Sequence, residues 1–173
     1  MTGQRIAAAG CGLAALVALG AAWQAADAAR GAWRSGFVSE AEELGGFAKR
    51  ALGSHSDLLI VERFGELVRH DDVTYVLILD SSGRARFHGD AAEVGKTFDS
   101  PYARAALAAT ATLVQDIPQA GVLEVDVPLG NGSVLRMGGA PRPLAPALRW
   151  LWAGAGLACS ALVAAGLWGL RAR

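Results

Sequence analysis

The sequence predicts an α+β domain, a five-stranded antiparallel sheet with long N-terminal helices, carried between two transmembrane helices. Three observations lead there. Two uncharged runs of 21 residues, 6–26 and 150–170, bracket the chain. Apolar residues recur at helical spacing as far as residue 70. From residue 73 the period drops to two, and turn signals divide the remainder into five strands and one short helix.

The first run reads IAAAGCGLAALVALGAAWQAA and the second WLWAGAGLACSALVAAGLWGL. As helices each would be about 31 Å long, close to the hydrocarbon thickness of a bilayer. Trp23, Trp150, Trp152 and Trp168 lie near their ends, where indole rings prefer the headgroup level. A cleaved signal peptide is the competing reading of the first run. Met1 to Arg5 would be its positive region and Ala26-Asp27-Ala28 its cleavage site, although the apolar stretch is long for one. Arginines flank both sides of both spans, and weighting the short tails puts both termini in the cytoplasm. Small residues at four-residue spacing (Gly10/Ala14/Ala18, Gly156/Ser160/Ala164) suit helix association, or simply reflect an alanine-rich chain.

Past the first span, Trp33, Phe37, Ala41, Leu44, Ala48 and Ala51 make one apolar stripe, predicting a helix that leaves the membrane unbroken. Gly31, Gly36, Gly45 and Gly46 weaken it, each by about 1 kcal/mol relative to Ala, so packing must hold it. Ser54 and Asp57 mark a second helix start, with Leu58, Val61, Phe64, Leu67 and Val68 as its apolar face, ending near His70. Val73 to Asp80 is apolar on both faces and reads as a central strand. Asp80-Ser81-Ser82-Gly83 is a turn in which Asp80 bonds nearby amides, and Arg84 to His88 returns. Ser100-Pro101 opens a short helix, with Ser as cap and Pro in the first turn, running to about Ala109. Leu113–Ile117, Val122–Pro128 and Ser133–Gly138 are three more strands, the last two joined by an Asn131-Gly132 hairpin turn. Long helices would cover one sheet face and segment 89–111 the other, with a pocket beneath that segment.

In this order and spacing, VTYVLILDSSGRARFHGDAAEVGKTFDSP resembles the centre of a single Cache domain, the PAS-like extracytoplasmic sensor module. Val127-Pro128-Leu129, the following hairpin and Met137-Gly138 are similar to its last two strands. The likeness covers about residues 33–142. It implies a PAS-like periplasmic domain binding a small molecule, commonly a carboxylate, an amino acid or a related metabolite. It also implies output through a histidine kinase, cyclase or chemoreceptor. Only Arg171-Ala172-Arg173 follow the second span, so signalling is expected to pass through a separate partner protein.

Five residues are candidates for the ligand site. Arg136 should face away from Leu135 and Met137, where its guanidinium would clamp a carboxylate or make a structural ion pair. Tyr75, grouped with Val73, Leu77 and Leu79, would offer a hydroxyl or fill the core. His88 and Lys96 occupy the family's His and Gly-Lys positions, to contact an anionic ligand or pin the loop. Tyr102 opens the covering helix and would close over a ligand or stay exposed.

Composition and motifs exclude other classes. With 53% hydrophobic and 18% charged residues, mean hydropathy +0.31 and zero net charge, the chain is neither a disordered tail nor a basic nucleic-acid binder. Residues 31–147 carry fifteen acidic and eleven basic side chains, a net −4, balanced by +4 around the spans. Cys11 and Cys159 are too few for a disulfide scaffold. His55, His70 and His88 lack zinc spacing, His70-Asp71-Asp72 could hold a divalent ion but three adjacent residues rarely converge on one, and no nucleophile sits with a base. Neither metal, cofactor nor enzymatic activity is expected.

The resulting division is a cytoplasmic tail 1–5, a span 6–26, a periplasmic Cache-like domain 27–147 (helices 30–70, sheet and pocket segment 73–139), a span 148–170 and a tail 171–173. The expected protein is a bacterial inner-membrane sensor or co-receptor, a homodimer through its first helix, binding a small anionic or amino-acid-like ligand and signalling through a histidine kinase or cyclase. Two alternatives stand beside it: a structural or assembly subunit on a degenerate Cache-like scaffold, and a fragment of a sensor kinase, cyclase or chemoreceptor.

Overall fold

A computed structural model describes the backbone of residues 2–141 and the side chains of residues 17 and 20–141. The elements run α1 (Thr2–Gly53), α2 (Asp57–Leu67), β1 (Val73–Leu79), β2 (Ala85–His88), a 3₁₀ turn (Ala91–Glu93), α3 (Pro101–Ala108), β3 (Leu113–Ile117), β4 (Val122–Gly130) and β5 (Ser133–Gly139). The predicted order of two helices, two strands, a short helix and three strands is the observed one.

The chain divides into two compact units, the second being Ala32–Arg142. In the first, Arg30 reaches Asp27 at 3.5 Å and lies over the Trp23 ring. Among the described residues no helix is long and apolar enough to cross a membrane. The expected second span, 150–170, lies outside the described residues, as do the side chains of 6–16, 18 and 19 in the first.

The second unit is an α+β domain whose sheet is antiparallel throughout, in the order β2-β1-β5-β4-β3. The last strand therefore lies at the centre. One sheet face packs on the two long helices. The predicted stripe of α1 is the packed stripe: Phe37, Ala41, Leu44, Ala48 and Ala51 are buried with Ile60, Phe64 and Leu67 of α2 against Val76, Ile78, Val125, Leu135 and Met137. Trp33 stacks on Phe37 at 5.1 Å. Gly45 lets helix and sheet approach closely, since a Cβ there would come 2.6 Å from Val127 Cγ1.

Four local expectations are corrected. The buried face of α2 is Ile60, Phe64 and Leu67, while Leu58 is 78% and Val61 55% exposed. That helix starts two residues later than the Ser54 reading implies. Ser54 Oγ donates to the Ala51 carbonyl at 3.2 Å, and Ser56 occupies the cap position without a side-chain bond. Val73 belongs to the helix-side cluster, not to the face of Tyr75, because the β1–β5 register shifts between the two and turns the chain over. Finally, the space beneath α3 holds side chains of the sheet itself, described below.

The turns match their chemistry. Asp80 Oδ1 accepts from the backbone N–H of Ser82 (2.8 Å), the Ser82 hydroxyl (2.6 Å) and the backbone N–H of Arg84 (3.1 Å). Ser100 Oγ caps α3 by accepting from Ala103 N–H at 3.1 Å, with Pro101 in the first turn. Asn131 and Gly132 both have positive φ, as a tight two-residue hairpin requires.

Candidate functional site

The second sheet face carries a small apolar cluster and a polar one. Leu77, Leu79, Ala85 and Val134 pack under Ala103 and Ala106 of α3, with Tyr75, Phe98 and Leu107 at the margin. Beside them, strand alternation places Glu124 and Asp126 of β4 on this face, because Leu123, Val125 and Val127 take the helix side. Arg136 of β5 lies directly opposite Asp126, and Gly138 directly opposite Glu124.

The geometry closes into a complete network. Arg136 Nε donates to Asp126 Oδ1 at 3.2 Å, and its Nη2 donates to Glu124 Oε1 at 2.5 Å. The Tyr75 hydroxyl donates to Glu124 Oε2 in a short hydrogen bond. Gln115 Nε2 donates to Asp126 Oδ2 at 2.7 Å and to the Tyr102 carbonyl of α3 at 3.3 Å. All four carboxylate oxygens thus have a donor. Tyr75 reaches Glu124 across the intervening strand only because Gly138 has no side chain: a Cβ there would overlap the phenol ring.

Hydrogen bonds are balanced, but charge is not. Glu124 and Asp126 are fully buried and Arg136 is 4% exposed, so two carboxylates share one guanidinium out of water. Burial, then the neighbouring Glu124 charge, push the Asp126 carboxyl up to about 6. Burial and the same carboxylate raise the Tyr75 phenol, which stays a neutral donor. Against its burial, the hydrogen bond to Glu124 and the two acidic charges hold Arg136 protonated.

Of the five residues expected at the site, the structure brings Arg136 and Tyr75 together and touches Tyr102 through its carbonyl. Arg136 does face away from Leu135 and Met137, but its Nε and Nη2 already hold the protein's own carboxylates. His88 and Lys96 stand apart from them. His88 Nδ1 accepts from Asp90 N–H at 2.9 Å, and its ring lies parallel to Phe98. Lys96 is 57% exposed and bonds Glu93 at 2.6 Å. Both make contacts that pin the 88–96 loop. The residues missed by sequence reasoning are Glu124, Asp126, Gln115 and Gly138. The available signal was the Leu-Glu-Val-Asp-Val alternation, which put two acids on one strand face next to a strand carrying Arg136.

A separate cavity of about 430 Å³ opens between α1 and α2, lined by Glu40, Glu43, Leu44, Phe47, Arg50 and Arg63 among others. Among the described residues no cluster of His, Cys, Asp or Glu is arranged to hold a metal ion. Neither a scan against protein-family models nor a search of the curated proteins gives a match.

Proposed function

We propose that the chain is a membrane-anchored, extracytoplasmic sensor or co-receptor of the single-Cache, PAS-like type. It would be held by spans at 6–26 and 150–170, and a small molecule would enter between α3 and the sheet only by parting the side chains that fill that space. The reading draws support from the layering: helices α1 and α2 on one sheet face, a short capped helix on the other, and a buried polar cluster between that helix and the sheet.

The observation that carries the ligand class is the unequal charge of that cluster. Arg136 is occupied by Glu124 and Asp126, so a simple carboxylate would have to displace a buried ion pair and would add a third negative charge. An ammonium group would instead balance the excess carboxylate. Of the expected ligands, those carrying an amine, amino acids included, are therefore favoured over plain carboxylates. Binding would act by population shift, favouring one placement of α3 over another.

The full chain in detergent, melted with alanine, a primary amine and acetate, tests this. A ligand at 100 times its Kd should stabilise the domain by about 2.7 kcal/mol. The amine-bearing probes should raise the melting temperature and acetate should not. Stabilisation by acetate alone would reject the charge argument.

The same network also favours a second reading, a structural or assembly subunit on a scaffold of this shape, because every carboxylate oxygen already has an internal donor. Absence of a shift with a wide panel of amines and amino acids would select it.

A further inference from the structure

Both hydrogens of the Gln115 amide are committed, one to Asp126 Oδ2 and one to the Tyr102 carbonyl in the first turn of α3. This amide is a direct polar tie between the acid pair and the covering helix. Asp126 has no unoccupied oxygen: Oδ1 faces Arg136 Nε and Oδ2 faces Gln115. Each oxygen keeps a second lone pair where a proton can add, but the added proton discharges the carboxylate, weakens it as an acceptor and creates an O–H that needs an acceptor of its own. The guanidinium is charged, is held by a second bond to Glu124 and cannot present an acceptor. The Gln115 amide is neutral and can rotate to offer its carbonyl oxygen to the new O–H. Rotation withdraws both N–H groups together, from Asp126 and from Tyr102.

We infer that Asp126 is a proton-operated latch: protonation there turns the Gln115 amide and releases the start of α3 from the sheet. The groups facing Asp126 are Glu124 on its own strand, Arg136 on β5, the neutral Gln115 amide on β3 and the Tyr102 carbonyl on α3. Tyr75 of β1 acts through Glu124, and Arg104 of α3 is exposed. An upward-shifted Asp126 places the transition in mildly acidic conditions. The latch goes beyond the ligand reading and does not depend on it, since a proton needs no empty pocket.

The test is amide hydrogen exchange of the full chain in detergent between pH 4.5 and 8, corrected for intrinsic rates and read at residues 105–108 of α3. Loss of one neutral hydrogen bond corresponds to about fivefold in protection. Wild-type protection of α3 should fall by about that factor as pH drops through about 6. Asp126→Asn, which mimics the protonated acid, should show the low value at every pH. Glu124→Gln removes the neighbouring charge and should move the midpoint to lower pH, and His88→Gln should leave it in place. Flat wild-type protection, a transition that survives in Asp126→Asn, an unmoved midpoint in Glu124→Gln, or loss of the transition in His88→Gln would each overturn the proposal.

Discussion

Among the described residues, Arg136 is the single cation facing two carboxylates that are fully removed from solvent. Its replacement by Met should therefore cost about 3–5 kcal/mol, because it strands buried charge. The same change combined with Glu124→Gln and Asp126→Asn removes the stranded charges and should recover most of the loss. Urea unfolding of the single and triple variants measures this, and simple additivity would contradict it. Tyr75→Phe is milder: Glu124 Oε2 loses its donor, at about 1–3 kcal/mol. These partnerships were only half legible in the sequence. Alternation put Arg136 on the correct face. Nothing local, however, says which residue of a neighbouring strand stands opposite it, and that depends on register. Tyr75 shows the same limit, because a register shift after Val73 moved the two residues onto different faces.

At the scale of elements the sequence was far more informative. Period and punctuation are local, so the stripe of α1, the Ser100 cap and the Asn131-Gly132 turn could be read directly. The face of α2 could not. Its 11 residues include four apolar ones near the start, Leu58, Leu59, Ile60 and Val61, and several stripes fit them equally well. Packing against the sheet chose Ile60. The glycines of α1 separate into two kinds on the same ground. Gly36 has nothing within 4 Å of a Cβ, whereas Gly45 sits against Val127. Gly36→Ala should thus stabilise by up to about 1 kcal/mol through helix propensity. Gly45→Ala should destabilise by about 1–3 kcal/mol through overpacking, and Val127→Ala should relieve it. Melting temperatures of Gly36→Ala, Gly45→Ala and the Gly45→Ala/Val127→Ala double variant check the sign of each.

For the whole molecule, the excess buried carboxylate predicts an unusual dependence of stability on pH. Asp126 is raised from 3.8 to about 6 in the fold. Above about 6 it is ionised in both folded and unfolded chains, and the fold bears the cost of burying it. Between about 6 and 3.8 only the folded chain binds the proton, so stability rises as pH falls, and the gain is complete below 3.8. A displacement of that size is of order 3 kcal/mol. Asp80 works in the opposite sense and in a different window. The Ser82 hydroxyl, then the Arg84 backbone N–H, hold its carboxyl below 3.8, so its contribution is present above that value and fades as pH falls through its lower folded pKa. The urea midpoint of the sheet should therefore be higher at pH 5 than at pH 7.5, and decline only in stronger acid. Asp126→Asn should abolish the rise between pH 7.5 and 5. This global gain runs against the local release of α3 expected over the same interval. The two are compatible because relieving a buried charge outweighs one neutral hydrogen bond. A domain that becomes harder to unfold while one surface helix becomes easier to move is the combined signature, and urea midpoints with α3 exchange on the same samples distinguish it from acid loosening of the whole fold.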